Sequence, residues 1–142
     1  MTVTLPKTLQ ETIFAQMEAS YPNEGGGFLL GIHQDETIEI ADVIEIENVF
    51  ETEEQYHRYA MTPQNWMQME DEADARGLTL VGYYHSHPDY PAIPSDYDRE
   101  HALPNFVYII TSVRDGKAAE QKAWQLGTDR EAFTPLTLQV IE

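Results

Sequence analysis

The stretch YYHSHPDYPAIPSDYD, residues 83–98 of a 142-residue chain, decides both the fold and the chemistry that we expect. Its first half places two histidines, His85 and His87, two positions apart in an apolar segment typical of a strand. Alternate side chains of a β-strand project to the same face. Both imidazoles can therefore converge on one point, while Ser86 between them faces the other way.

The second half of that stretch returns the chain toward the histidines. Ser95 can cap a short helix that runs to about Ala102, which places Asp98 on the first turn. We therefore predict a metal site formed by His85, His87 and Asp98. Three protein ligands leave the fourth position of a tetrahedral Zn²⁺ open to water, which is typical of catalytic rather than structural zinc. Two histidines and a carboxylate can also hold non-haem Fe(II), so spacing alone leaves the metal open.

The composition limits the classes of function. A length of 142 residues fits one compact domain, residues 1–142. The absence of cysteine excludes disulfides, thiolate metal sites and cysteine nucleophiles, and it fits a cytoplasmic protein. The start of the chain lacks the pattern of a signal peptide, and no apolar run is long enough to span a membrane.

The net charge bears on partners. A formal charge of -17, from 25 acids against 8 lysines and arginines, repels phosphate backbones and anionic lipid surfaces. We expect neither nucleic-acid nor membrane binding, whereas a neutral or basic protein partner is compatible with the charge. The acids can equally serve only to keep the protein soluble, and the residues leave the oligomeric state open.

Hydrophobic periodicity predicts helices interleaved with strands, including adjacent hairpins. Such a chain has an α/β fold of the α+β type, a mixed β-sheet flanked by helices. The predicted helices begin at Pro6, at Thr62–Pro63 and after Ser95, and the predicted strands cover residues 28–32, 38–46, 56–61, 79–87, 106–113, 122–126 and 136–141.

The spacing of the four motif residues resembles the signature of the JAMM (JAB1/MPN/Mov34) metallopeptidase family. That signature is His-x-His, seven residues, Ser, two residues, Asp, and His85, His87, Ser95 and Asp98 match it. The upstream segment PNEGGGFLLG, which contains Glu24, is similar to the glutamate segment of the family. Several downstream motifs, among them SVRDG and the Trp-x-Leu near residue 126, are similar to a small bacterial branch linked to ubiquitin-like sulfur-carrier proteins.

The resemblance implies roles that the residues alone leave open. A hydrolase needs a base near the attacking water, and the sequence offers 25 acids. The resemblance selects Glu24 as that general base, assigns His85, His87 and Asp98 to zinc, and gives Ser95 a part in stabilising the oxyanion. It implies a fold related to that of cytidine deaminases. It also implies cleavage of the peptide or isopeptide bond after the C-terminal glycines of a ubiquitin-like or sulfur-carrier protein.

Other readings remain open at this stage. The chain could be a non-catalytic MPN scaffold module, or a zinc amidase that acts on small peptides. Ser95 and Asp98 also form a capping-box pattern, which gives both a structural role. Many bacterial members carry a cysteine two residues after the glutamate, where this chain has Gly26. That cysteine is not a ligand in the family pattern, so we expect the chemistry to survive.

Some conspicuous side chains outside the motif are expected to be structural. Two side chains of the proline-rich loop, Tyr90 and Ile93, can line a groove for an incoming tail. The remaining histidines, His33, His57 and His101, are expected at the surface or in structural positions. Trp66, Met67 and Met69 are expected in the core or at its rim, and Trp124 in the core.

Overall fold

The computed structural model describes residues 1–46 and 63–142. These residues form seven strands and three helices. In chain order they are β1 (Thr2–Pro6), α1 (Lys7–Ser20), β2 (Gly26–Gln34), β3 (Thr37–Ile46), α2 (Pro63–Ala75), β4 (Thr79–Pro88), α3 (Asp96–His101), β5 (Val107–Arg114), β6 (Lys117–Leu126) and β7 (Phe133–Ile141).

The strands form one mixed sheet that closes on itself in the order β1-β3-β2-β4-β5-β6-β7. β4 runs parallel to β5, and β1 runs parallel to both β3 and β7. The other ladders are antiparallel, including the β2–β3 hairpin that the sequence predicts. β4 therefore lies between two partners, which fixes the faces of its side chains by register.

Apolar side chains cover both faces of the sheet. On one face, Ile13 and Met17 of α1 pack into a cluster with residues of β1 to β6. On the other, Trp66 and Ala73 of α2 pack with Phe28 and other residues of β2 and β4. Strands covered on both faces are buried almost throughout, and β4 is buried from its second residue to its end. This burial encloses the histidine end of β4.

The expected fold class is confirmed, but one strand was not predicted. β1 was not predicted, although Val3 and Leu5 alternate with threonine as in a half-buried strand. Its parallel pairing with β3 and β7 is what closes the sheet. The predicted strand at residues 56–61 and the predicted cap at Thr62 lie outside the described residues, as does His57. Within the described part of the chain, no helix has the length and apolar character to cross a membrane.

Candidate metal centre

The two motif histidines occupy the carboxyl end of β4. Both side chains are buried, with His85 1% and His87 0% exposed. Their Nε2 atoms lie 3.2 Å apart, as the alternation of a strand predicts.

Asp98 reaches the histidines from the first turn of α3. Its Oδ1 lies 3.2 Å from His85 Nε2, and its Oδ2 lies 3.0 Å from His87 Nε2. A capping box orients this carboxylate, because the Ser95 amide donates to Asp98 Oδ2 at 2.9 Å and the Asp98 amide donates to Ser95 Oγ at 3.1 Å. The structure therefore brings the three predicted ligands together. It also forms the predicted capping box between Ser95 and Asp98.

These three side chains fit a zinc ion. A tetrahedral Zn²⁺ with ligands about 2.0–2.1 Å away holds its ligand atoms about 3.3 Å apart. The separations among His85, His87 and Asp98 are 3.0–3.2 Å. Imidazole nitrogen and carboxylate oxygen are ordinary zinc donors, and the site lies in the interior.

The backbone after β4 orients one of the imidazoles. His87 Nδ1 lies 2.8 Å from the carbonyl oxygen of Pro91, in the proline-rich loop of residues 89–95. A carbonyl only accepts, so Nδ1 donates to it, and Nε2, which faces Asp98 and His85, is the nitrogen left to bind a metal. Tyr90 stacks on the same imidazole with ring centroids 4.2 Å apart. The loop therefore holds the His87 ring in the orientation that directs Nε2 at Asp98 and His85.

Glu24 approaches the histidines from the segment that precedes β2. It is 3% exposed, and its carboxylate lies close enough to His85 and His87 that their ligand atoms all fall within 4.8 Å of one another. Burial, and then the charge of Asp98, raise the pKa of Glu24 to about 9. Without a cation beside it, this carboxyl is therefore protonated at neutral pH.

The charge states of the predicted ligands suit metal binding. Burial alone would raise the pKa of Asp98, but the charges and hydrogen bonds of His85 and His87 hold this pKa well below its ordinary value. Burial lowers the pKa of His85 against the opposing effect of Asp98. The pair consists of an ionised carboxylate and a neutral imidazole, which are the forms that coordinate a metal.

Ser86 connects the strand of the histidines to the segment of the glutamate. Its hydroxyl oxygen accepts a hydrogen bond from the Gly25 amide at 2.9 Å, and its own amide donates to the Gly25 carbonyl at 3.0 Å. Ser86 is 0% exposed. The residue between the two histidines therefore fixes the position of the residue directly after Glu24.

Side chains of β5 and β6 attach the proline-rich loop to the sheet. Ser112 Oγ donates to the Tyr90 carbonyl at 2.7 Å, and the Ala92 amide donates to a Glu120 carboxylate oxygen at 3.1 Å. Trp124 Nε1 donates to the Ala92 carbonyl at 3.0 Å. These hydrogen bonds fix the position of the proline-rich loop, which connects His87 to Ser95.

The sequence reasoning missed this attachment. Nothing in the spacing of Ser112 or Glu120 signals it, because the contacts join strands to a distant loop. The expectation that Trp124 belongs to the core is wrong, since its side chain is half-buried and borders a pocket beside Ser95. Ile93 is 51% exposed on the rim of the same pocket.

The other side chains follow the expectations where the structure describes them. His33 is exposed in β2, and Trp66 is buried against Phe28 with ring centroids 4.9 Å apart. Met67 is 65% exposed at the rim, whereas Met69 packs partly buried against the second cluster. His101 is the last residue of α3.

Gly26 is packed too tightly for a side chain. A Cβ at this position would lie 2.6 Å from the Tyr83 hydroxyl oxygen and 2.8 Å from the Tyr84 carbonyl oxygen. The Tyr83 ring is buried and packs edge-on against Phe28, with centroids 5.0 Å apart. The tyrosine hydroxyl therefore occupies the space that a cysteine side chain would need at position 26.

Comparison with known proteins adds two curated relatives. Desampylase from Haloferax volcanii is 38% identical over 55 residues, which are 38% of this chain and 40% of that protein. A probable TtuB-protein conjugate cleaving protease from Thermus thermophilus is 30% identical over 106 residues, which are 75% of this chain and 67% of that protein. The match thus spans less than half the length of the desampylase.

A solved structure and a family match cover more of the chain. The solution structure of a protein from Salinibacter ruber has a TM-score of 0.74 and 35% identity, and the match covers 100% of this chain and 92% of that one. Residues 6–127 match the family of prokaryotic homologs of the JAB domain. As the JAMM resemblance predicted, the chain belongs to the family of prokaryotic homologs of the JAB domain.

Proposed function

We propose that this protein is a zinc-dependent peptidase or isopeptidase. It hydrolyses the bond after the C-terminal glycines of a ubiquitin-like or sulfur-carrier protein and releases an amino acid, a peptide or a conjugated protein. The observation that carries the proposal is the buried convergence of His85, His87 and Asp98 beside Glu24. The names of the two relatives, a desampylase and a conjugate cleaving protease, support the choice of substrate.

The proposal assigns the metal to His85, His87 and Asp98. When bound there, Zn²⁺ would lower the pKa of a water ligand to about 7 and polarise the scissile carbonyl. Asp98 supplies the negative charge of the donor set, and the hydrogen bond from the Ser95 amide keeps its carboxylate in place. The Pro91 carbonyl does the same for the His87 imidazole.

Glu24 is the general base in this proposal. Its carboxyl becomes ionised beside a bound cation, because an opposite charge within about 4–6 Å lowers the pKa of a carboxyl group. The carboxylate then takes a proton from the attacking water and later returns it to the leaving amine. General acid–base catalysis by a positioned side chain contributes about 10²–10⁴-fold in rate.

Ser95 has two roles in the proposal. Its oxygen accepts from the Asp98 amide and caps α3. A hydroxyl carries one donor hydrogen besides its acceptor lone pairs. That hydrogen can be directed at the developing oxyanion, where one donor contributes about 10²–10³-fold in rate.

The extended tail of the substrate adds as a strand to a sheet edge, where main-chain hydrogen bonds supply affinity. Because the sheet is closed, few strand edges are available to pair with the tail. β1 pairs with β3 only at Thr37–Glu39, so among the described strands none pairs with the outer edge of β3 from Ile40 to Ile46. The far end of that edge lies near the catalytic glutamate, since Ile46 pairs with Gly26.

The whole chain, residues 1–142, acts as one domain in this proposal, and the protein works in the cytoplasm. A cysteine-free domain gains nothing from an oxidising compartment. The substrate is thus an intracellular carrier or conjugate rather than a secreted one.

The test is cleavage of a purified carrier protein that bears a C-terminal extension, followed by intact mass. We expect zinc-dependent trimming after the terminal glycines, its loss with a chelator and its return on addition of zinc. Glu24→Gln should retain zinc and lose turnover. A scaffold would cleave neither the carrier nor a small peptide, and a zinc amidase would cleave a cell-wall peptide in preference to the carrier.

A further inference from the structure

A small pocket lies directly beside the candidate centre. It has a volume of about 220 Å³ and lies between the proline-rich loop, the start of α3 and strands β6 and β7. Whole small-molecule ligands occupy sites of about 300–1,000 Å³. A pocket of this size fits a single amino-acid residue.

Ser95 joins the pocket to the candidate centre. The residue lines the pocket, while its amide donates to the Asp98 carboxylate at 2.9 Å. The pocket therefore begins at a residue that contacts a predicted zinc ligand. If the scissile bond lies at the metal, as the proposed function has it, a group in this pocket belongs to a part of the substrate near that bond.

The walls of the pocket are held in place. The Trp124 indole is fixed by its hydrogen bond to the Ala92 carbonyl. Phe133 packs edge-on against the buried Tyr108, with ring centroids 5.9 Å apart. Ser95 is fixed by the capping box. A preformed wall of this kind reduces the entropy lost when a side chain binds.

The lining combines apolar surface with one cation, Arg99, and one acid, Asp96. Trp124, Phe133 and Ile93 supply the apolar part. Arg99 supplies a guanidinium whose ion pair with Asp96 is long, 3.9 Å, and the Asp96 side chain is 95% exposed. Such a pair is weak, so the guanidinium keeps donors that can bind a carboxylate.

Glycines cannot fill this pocket. The proposed substrate has glycines immediately before the scissile bond, and these offer no side chain to a pocket that starts at Ser95. Near the scissile bond, the first residue with a side chain is the residue directly after it, which belongs to the leaving group. We propose, on the basis of the proposed function, that the pocket binds this leaving residue. An aliphatic or aromatic side chain lies against Trp124 and Phe133, and its free carboxylate faces Arg99.

The proposal can be tested with a series of carrier proteins that differ only in one residue after the terminal glycines. That residue is Gly, Ala, Leu or Phe, each made as the free acid and as the C-terminal amide. The zinc-loaded protein should cleave the Leu and Phe adducts about 10–100-fold faster than the Gly adduct in kcat/KM, the range expected for an apolar side chain in a pocket. It should cleave the acids about tenfold faster than the amides.

Two variants assign these preferences to the pocket. Phe133→Ala should reduce the preference for Leu over Gly to less than about threefold, and Phe133→Leu serves where the alanine variant folds poorly. Arg99→Gln should remove the preference for the acid over the amide. The matched controls are Phe14→Ala, at another half-buried phenylalanine, and Arg114→Gln, at an exposed arginine. Both should behave as the parent protein.

The outcomes separate the two proposals. Cleavage of all adducts at one rate, or preferences that survive in both pocket variants, overturns the assignment of the pocket and leaves the proposed function standing. Failure of the zinc-loaded protein to cleave any adduct contradicts the proposed function itself, and the assignment of the pocket fails with it.

Discussion

The Gly25 amide and the Ser86 hydroxyl share a buried hydrogen bond of 2.9 Å, and the Ser86 amide donates back to the Gly25 carbonyl at 3.0 Å. This two-point contact joins two segments that are distant in sequence. Gly25 follows the proposed base, and Ser86 separates the proposed histidine ligands. The distance between base and ligands is therefore set by a serine that faces away from both.

Ser86→Ala should reduce kcat by about 10–100-fold with little change in KM or zinc content. The variant keeps every proposed ligand but removes the acceptor of the buried Gly25 amide, so Glu24 loses its fixed position. A misplacement of about 1 Å can cost about 10²-fold in rate. The unpaired amide should also cost about 1–3 kcal/mol of stability, measurable by denaturant unfolding.

The control for Ser86→Ala is Val3→Ala, a core substitution in β1 that should also lower stability. It should leave kcat unchanged at a temperature where both variants are folded. An equal loss of kcat in the two variants would mean that Ser86 acts only through stability.

Asp98→Asn should lower the zinc content of the purified protein to less than about one tenth of an ion per chain under competition with a chelator. The amide keeps the shape of the side chain but loses the charge that makes a carboxylate a zinc ligand. Elemental analysis measures the result. The matched control is Asp96→Asn, two residues away with a side chain 95% exposed, which should keep one zinc per chain. Full zinc content in Asp98→Asn would remove Asp98 from the ligand set.

Gly26→Ala should destabilise the protein by about 1–3 kcal/mol, the usual cost of overpacking a buried site. The new Cβ would lie 2.6 Å from the Tyr83 hydroxyl and 2.8 Å from the Tyr84 carbonyl. Adding Tyr83→Phe should recover part of this loss, because it removes one of the two clashing oxygens. Thermal unfolding of the four proteins of this double-mutant cycle measures the coupling. Strictly additive effects would mean that the hydroxyl does not occupy the space at position 26.

The local parts of the site could be predicted from the sequence, and the long-range parts could not. The alternation of His85 and His87 follows from strand geometry, and the capping box of Ser95 and Asp98 follows from spacing along one turn. Both arrangements depend on neighbours within a few residues. The choice of Glu24 as the proposed base required the family resemblance, because the distance from Glu24 to the histidines depends on the pairing of β2 with β4.

Long-range contacts also explain why β1 and the position of Trp124 were not predicted. The short alternation of Val3 and Leu5 is a weak signal by itself. β1 becomes a strand through parallel pairing with β3 and β7, which lie far along the chain. The hydrogen bond from Trp124 to Ala92 joins residues 32 positions apart. Nothing in the sequence around Trp124 distinguishes this role from a place in the core.

The metal-free protein should lose stability as the pH rises from 7 to 9, by on the order of 2 kcal/mol. The pKa of Glu24 is raised from an ordinary value of 4.5 to about 9. Between these values the folded protein holds a proton that the unfolded chain has released, so each pH unit in this range favours the unfolded chain. Below pH 6.5, the lowered pKa of His85 acts in the opposite direction, which is why the measurement starts at pH 7.

Urea unfolding of chelator-treated protein at several pH values between 7 and 9 measures this slope. Glu24→Gln cannot release a proton at this position, so its stability should stay nearly constant over the same range. Asp74→Asn, at an exposed acid of α2, is the control and should keep the slope of the parent. If the parent and Glu24→Gln give the same pH dependence, the carboxyl at position 24 is not protonated in the metal-free fold, and its burial beside Asp98 does not have the electrostatic effect argued for it.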